Sequence, residues 1–179
     1  MKKVIHLALS RRSINKAIRE VDGFRYWIER KCNELAHRLA KEGVQVARMY
    51  FEDAIYSGTN DAVVIDADGA RYGSAKVIAV GNSVLFIEFG TGVNTPDIHP
   101  EATENGMIRG QYGAGNGADE MGWTYRGDPG NGGQPLTKDG QATGLVHTFG
   151  DPANMPMYNT VRVLESRFEN IAREVFSHD

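Results

Sequence analysis

Residues 24–54 read FRYWIERKCNELAHRLAKEGVQVARMYFEDA, and this stretch decides the fold. Phe24, Trp27, Ile28, Cys32, Leu35, Ala36, Leu39, Gly43, Val46, Ala47, Tyr50, Phe51 and Ala54 recur at steps of three and four, the spacing of one face of an α-helix. Arg25, Glu29, Arg30, Lys31, Glu34, Arg38, Lys41 and Glu42 lie between them. The pattern predicts one amphipathic helix of about 30 residues, roughly 45 Å long at 1.5 Å per residue. Gly43 falls on the apolar stripe and marks either a close crossing or a division of the helix. Cys32 shares the stripe and reads as an inert core thiol.

Upstream, Ser13 to Val21 reads as a short helix with Ile14, Ala17, Ile18 and Val21 on one face. Ser10 or Ser13 caps its start, and Asp22-Gly23 breaks it from the long helix. Residues 1–12 read as a cytoplasmic start, an edge strand or an N-terminal arm. The apolar run there is too short for a secretion signal, His6 interrupts it, and Arg11-Arg12 follows.

Downstream, Ser57-Gly58-Thr59-Asn60 ends the helix and three strands are expected. Ala62 to Asp66 leads to a turn at Asp68-Gly69, Ala75 to Val80 is second, and a Gly81-Asn82 hairpin leads to Ser83 to Phe89. Leu85, Ile87 and Phe89 would share one face of the third strand, Val84, Phe86 and Glu88 the other. Fifteen of the 21 glycines then fall between Gly90 and Gly150. A connection of that length is either functional or unfolded on its own. Gly122 to Arg126 and Leu145 to Thr148 are strand-like islands that could extend the sheet. Gly110 to Gly117 and Gly127 to Gln134 are nearly devoid of apolar residues and are expected to be mobile. Asn154 can cap a closing helix, Pro156 suits its first turn, and Met157, Val161, Leu164, Phe168, Ile171, Ala172, Val175 and Phe176 form its apolar face.

The 179 residues therefore read as a single α+β domain. Its parts are an arm (1–12), a helical part (13–54), a small, mostly antiparallel sheet (61–89), a long Gly-rich loop (90–150) and a C-terminal helix (154–177). The long helix is expected to pack on the sheet, and the C-terminal helix on the sheet or beside the long helix. No apolar run approaches the roughly 20 residues that span a bilayer. One cysteine excludes an internal disulfide and a cysteine-rich zinc site. The net charge of −3 hides an asymmetry. Residues 1–50 hold 12 Lys/Arg against 5 Asp/Glu, and every later part is acidic on balance. A basic front and an acidic remainder suit nucleic acid, or attraction between copies of the chain.

Chemistry is weakly signalled. His99-Pro100-Glu101 and His147 lack metal-ligand spacing. Asp66-Ala67-Asp68-Gly69 lacks the later acids of a calcium loop and reads as a turn. Gly90-Thr91-Gly92 and Gly113 to Gly117 have no Lys-Ser/Thr after them, so their glycines read as flexibility rather than a phosphate cradle. No G-x-S-x-G or Cys/His pairing is present, and Asp119-Glu120 diverge on extended chain. No catalytic residue, metal or cofactor is expected, and a hydrolase would require a metal. Glu88 stands out because it interrupts an apolar run. Its carboxylate is expected to hold the Gly90-Thr91-Gly92 amides and lock that turn.

The run Phe86-Ile87-Glu88-Phe89-Gly90-Thr91-Gly92-Val93 resembles a signature of the head–tail joining, or tail-completion, proteins of lambdoid siphophages, the gene-product-ten type. The resemblance takes in Tyr56 to Asp61, Trp123-Thr124-Tyr125 and Gly150-Asp151-Pro152-Ala153-Asn154-Met155-Pro156-Met157, and covers most of residues 12–177. The loop between Asn94 and Asp119 is longer than such proteins need. The resemblance implies a non-catalytic ring subunit in the virion neck, assembled in the host cytoplasm. It would join head-closure or connector proteins to the tail terminator or tail tube. Genomic DNA would pass without sequence-specific binding, and no membrane would be involved. Glu88, Phe89, Gly90, Thr91, Gly92, Trp123, Tyr125, Pro156 and Met157 would form the structural motif. Arg11, Arg12, Lys16, Arg19, Arg25, Arg30 and Arg38 would offer a basic interface between copies. The alternative is a nucleic-acid-binding module that lays the same basic residues on phosphates.

Overall fold

The computed structural model describes residues 4, 8–92, 99–107, 113 and 121–177, and of residues 67–71 the backbone alone. The expected Gly110–Gly117 segment (Gly113 apart), Asp119-Glu120, the loop between Asn94 and Asp119 apart from residues 99–107 and 113, and most of the arm lie outside the described residues.

The first element, α1 (Arg11–Glu52), is a single helix of 42 residues, about 63 Å long at 1.5 Å per residue. Ser10 caps it: its backbone is extended and its Oγ accepts the Ser13 N–H at 3.2 Å. The break expected at Asp22-Gly23 does not occur. Gly23 lies in open space, so its only cost is helix propensity, about 1 kcal/mol. Phe51, Ala47 and Ala54 face the core as the stripe predicts. Cys32 does not: it is half-buried at a cleft.

Strands β1 (Val63–Arg71) and β2 (Ser74–Val80) form an antiparallel hairpin with Val63 opposite Val80 and Ile65 opposite Ile78. The turn is at Tyr72-Gly73, not Asp68-Gly69, which belong to β1. Tyr72 and Gly73 both take positive φ (54° and 74°), the backbone of the tight turns that match strand twist. The Gly73 N–H donates to Asn33 Oδ1 at 2.7 Å, so α1 fixes where the chain reverses. Val64, Val77 and Ala79 face α1, and Arg48 donates both Nε and Nη2 to the Val64 carbonyl, at 3.1 and 2.9 Å.

The third expected strand is instead a helix, α2 (Val84–Phe89). Val84, Ile87 and Glu88 are its buried residues, a spacing of three and four that a six-residue run cannot separate from alternation. Asp61 decides the matter. Its carboxylate accepts the N–H groups of Asn82 (2.9 Å) and Ser83 (2.8 Å) and the Ser83 hydroxyl (2.6 Å). That winds the chain into a helical start where a hairpin was expected.

The strand-like islands do not extend the hairpin. β3 (Trp123–Arg126) and β5 (Gln141–Thr148) pair with each other, and β4 (Gln134–Lys138), which carries no buried residue, completes a separate antiparallel sheet in the order β3-β5-β4. Residues 127–134 are not loose among the described contacts. Asn131 and Gly132 donate to the Tyr56 carbonyl, both at 3.2 Å, while the Asn131 side chain bridges the Tyr56 N–H (2.8 Å) and the Ala54 carbonyl (3.0 Å).

The last helix, α3 (Pro156–Ser177), runs antiparallel to α1. Trp27 meets Phe176 at one end, and Arg38–Glu174 and Glu42–Arg167 ion pairs follow. At the crossing, a Cβ on Gly43 would lie 3.0 Å from Val77 Cγ2 and 3.1 Å from Leu164 Cδ1, so the close-crossing reading holds. Val44, Ala47, Phe51, Ala54, Val64, Val84 and Ile87 form the core, with Met157 packed on it. Among the described residues the architecture is α+β, with the long α1, the short α2, the closing α3 and two small antiparallel sheets. No described helix is long and apolar enough to cross a membrane.

Candidate functional site

The two sequence runs that carry the resemblance meet at one junction. Thr91 and Asp151 exchange backbone hydrogen bonds at 2.9 and 3.2 Å. The Thr91 hydroxyl donates to Asp151 Oδ2 at 3.1 Å. Asp151 Oδ1 accepts both the N–H and the Oγ–H of Ser57, each at 2.7 Å. Ser57 Oγ also reaches Thr148 Oγ1 at 2.9 Å. One buried carboxylate thus ties the end of α1, the end of α2 and the end of β5 together. Burial pushes the Asp151 carboxyl up, against the opposing pull of its Ser57 and Thr91 bonds.

Gly90 makes this approach possible. It sits at φ 74°, and a Cβ there would stand 2.7 Å from Ala153 N and 2.8 Å from the Asp151 carbonyl. The glycines expected to give flexibility instead permit close packing of two backbones.

Glu88 does not hold the Gly90-Thr91-Gly92 amides. It reaches the N-terminus of α3, where its Oε2 accepts the Met157 N–H at 2.8 Å and its Oε1 the Tyr158 N–H at 3.0 Å. Those amides have no partner inside their own helix, and the helix dipole favours an anion there. Pro156 occupies the first helical position as expected, where no N–H is needed. The capping role expected of Asn154 passes to Glu88. Asn154 clamps Ile55 instead, accepting its N–H and donating to its carbonyl, both at 2.9 Å.

His99 closes the junction. Its Nδ1 accepts the Glu101 N–H at 3.0 Å, so Nε2 carries the proton toward Glu88 Oε1 at 3.1 Å. The ring packs on Phe89 at 4.5 Å and on Tyr158 at 5.2 Å. His99 is therefore a structural donor, with no cluster of three or more His, Cys, Asp or Glu about it suited to a metal among the described residues. His147 packs edge-on against Phe149 at 4.9 Å.

Trp123 and Tyr125 stand on β3 beside Gly92 and Asp151 and line a cleft of about 310 Å³. The Tyr125 hydroxyl donates to the Asp128 carbonyl at 2.7 Å. Burial, then the neighbouring Asp151 and Asp128 carboxylates, push its phenol up. The nine motif residues thus fall into two adjoining groups, Glu88, Phe89, Pro156 and Met157 with His99, and Gly90, Thr91, Gly92, Trp123 and Tyr125 with Asp151. Sequence reading missed Asp151, Ser57, Asn131 and Asp61 as organisers. Asp61 carried a local hint, an acid following Ser-Gly-Thr-Asn, but its partners lie some twenty residues on.

The basic set divides. Arg11, Arg12, Lys16, Arg19, Arg25 and Arg30 are exposed along the first half of α1. Lys16 and Arg25 make loose i,i+4 pairs with Glu20 (3.9 Å) and Glu29 (3.7 Å). Arg38 does not belong with them. It bonds Glu34 at 3.0 Å and Glu174 at 3.5 Å and serves the α1–α3 seam.

No protein-family model, curated protein or solved structure matches the chain.

Proposed function

We propose that the chain is a structural adaptor of a tailed-phage neck, a ring-forming tail-completion protein between the head's portal connector and the tail tube. The observation that carries this reading is the Glu88–Asp151 junction. The two runs on which the resemblance rests, 86–92 and 150–157, are separate in sequence yet bond to each other along one junction. A subunit that must transmit load between head and tail needs such a junction, and one whose polar groups bond one another suits it. The ring would be built of identical copies through unlike faces, in the virion neck after assembly in the host cytoplasm. Genomic DNA would pass through it without being read.

Light scattering of the chain alone and mixed with candidate connector and tail-terminator proteins tests the reading. Entry into a large complex of defined mass with them supports it. A chain that ignores them at tens of micromolar overturns it.

A second reading has its own observation. Arg12, Lys16, Arg19 and Arg30 are exposed at helical spacing and present one cationic face that could follow a phosphate backbone. Micromolar, salt-dependent binding of duplex DNA by the free chain, lost in Arg12→Glu/Arg19→Glu, would favour a nucleic-acid module over the adaptor.

A further inference from the structure

The helix α1 runs on past the described parts of α3 and of the hairpin that pack on it, although Ala17 within that extension is buried. Trp27 meets Phe176 near the end of α3, with ring centres 5.9 Å apart, and the hairpin turn is tied at Asn33. Residues 11–26 project beyond both by about 24 Å. This overhang is not polar all round. Ile14, Ile18 and Val21 are 42, 53 and 53 % exposed and follow the three- and four-residue spacing of a helix stripe. Arg11 and Arg25 continue the same spacing at its two ends.

The chain also carries a groove of matching size. Leu39, Val161, Leu164 and Phe168 line an open apolar cleft of about 340 Å³ between α1 and α3. Through Val161 it adjoins two larger clefts of about 580 and 670 Å³. Val161 and Phe168 are each about half exposed. The ridge from Ile14 to Val21 and the groove from Val161 to Phe168 each span seven helical steps, about 10 Å. Their charges are opposed. Of the charged groups lining the clefts, Glu88 is buried and bonded to three donors, which leaves Glu101 and Glu165 against Arg162, itself paired with Glu165 at 3.1 Å, while the overhang carries Arg11, Arg12, Lys16, Arg19 and Arg25 against Glu20 and Asp22.

The ridge cannot reach the groove of its own chain, because α1 is one helix and its later turns form a wall of that groove. The occupant with the right shape and charge is a second copy. We propose that the α1 overhang of one copy docks in the α1–α3 groove of the next, with Ile14, Ile18 and Val21 against Val161, Leu164 and Phe168, and the overhang's basic groups against the acidic side of the groove at Glu101 and Glu165. This contact rests on the ring-adaptor reading for its head-to-tail repetition, since unlike patches generate rings when the rotation closes.

Disulfide trapping in the full chain tests it. In a Cys32→Ser background, chains carrying Ile18→Cys alone and Val161→Cys alone are mixed under mild oxidant. Mixed disulfides should form at least tenfold faster than in a control mixture of Ile18→Cys with Gln141→Cys, which lies at the exposed start of β5. Arg11→Glu/Arg25→Glu should slow trapping about tenfold, and Glu101→Arg/Glu165→Arg in the partner chain should restore it. A rate equal to the control overturns the proposal. So does protection of the Ile18→Cys thiol by duplex DNA but not by the Val161→Cys chain, which would assign the overhang to nucleic acid. Mass separates this contact from the adaptor reading. Trapping in a complex that stops at two copies upholds the contact and overturns the ring; a ring without trapping does the reverse.

Discussion

The Glu88 carboxylate accepts the Met157 N–H at 2.8 Å across 69 residues of chain, so the end of one short helix supplies the N-terminal cap of another. The same carboxylate takes the Tyr158 N–H and the His99 ring N–H. Glu88→Ala would leave three donors without an acceptor, one buried and two half-buried, and should cost about 3 kcal/mol. Glu88→Gln keeps one acceptor oxygen and should cost about 1 kcal/mol. Denaturant midpoints decide it. An alanine variant as stable as the parent would mean that α3 needs no cap from α2.

Gly90 gives a second test of the junction. Its φ of 74° and the 2.7 Å approach to Ala153 N leave no room for a side chain. Gly90→Ala should destabilise by about 2 kcal/mol or more through backbone strain alone. Thermal melting of that variant beside the parent is sufficient. Equal melting would show that residues 90–92 and 150–153 do not lie against each other.

The two helices were legible in sequence because their stripes run over many turns, and α1 and α3 follow them. The element that went astray is α2. Val84, Ile87 and Glu88 fit a helix, Leu85, Ile87 and Phe89 fit a strand, and six residues cannot separate the two periods. The deciding group, Asp61, sits 21 and 22 residues upstream of the amides it binds. Glu88 was recognisable as a lock because an acid interrupts an apolar run. Its partner was not, since nothing local in 84–92 points to residue 157. Asp151 was hidden for the same reason: Ser57 and Thr91 are 94 and 60 residues away.

Asp61 makes stability depend on acid. The Ser83 hydroxyl, then the Ser83 and Asn82 amides, hold its carboxyl well below the ordinary 3.8. A lowered folded value means the unfolded chain binds the proton more readily. The stabilisation is therefore complete above the ordinary value and lost as pH falls through the folded one. Asp61→Asn should melt lower than the parent at pH 7, with the gap narrowing as pH falls below 4. A gap that is independent of pH would assign the effect to shape rather than charge.

Asp151 works in the opposite direction. Burial raises its carboxyl above the ordinary value, so the folded chain holds the proton more tightly than the unfolded one. Its contribution is most favourable below the ordinary value and declines as pH rises through the raised one. The melting temperature of Asp151→Asn relative to the parent should therefore be higher at pH 7.5 than at pH 4. A difference that falls with rising pH would mean that the Ser57 and Thr91 bonds outweigh burial.

Gly23 distinguishes a continuous α1 from the two helices expected at Asp22-Gly23. It has helical neighbours on both sides, no positive φ and open space around its Cα. Alanine there gains helix propensity of about 1 kcal/mol without a clash. Gly23→Ala should slow amide hydrogen exchange across residues 16–28 about fivefold, the factor that such a free energy commands. Faster exchange, or a lower global stability, would mean that the chain does bend at Gly23. The overhang would then be a hinged segment, and the docking ridge of Ile14, Ile18 and Val21 would not stand out as one straight edge.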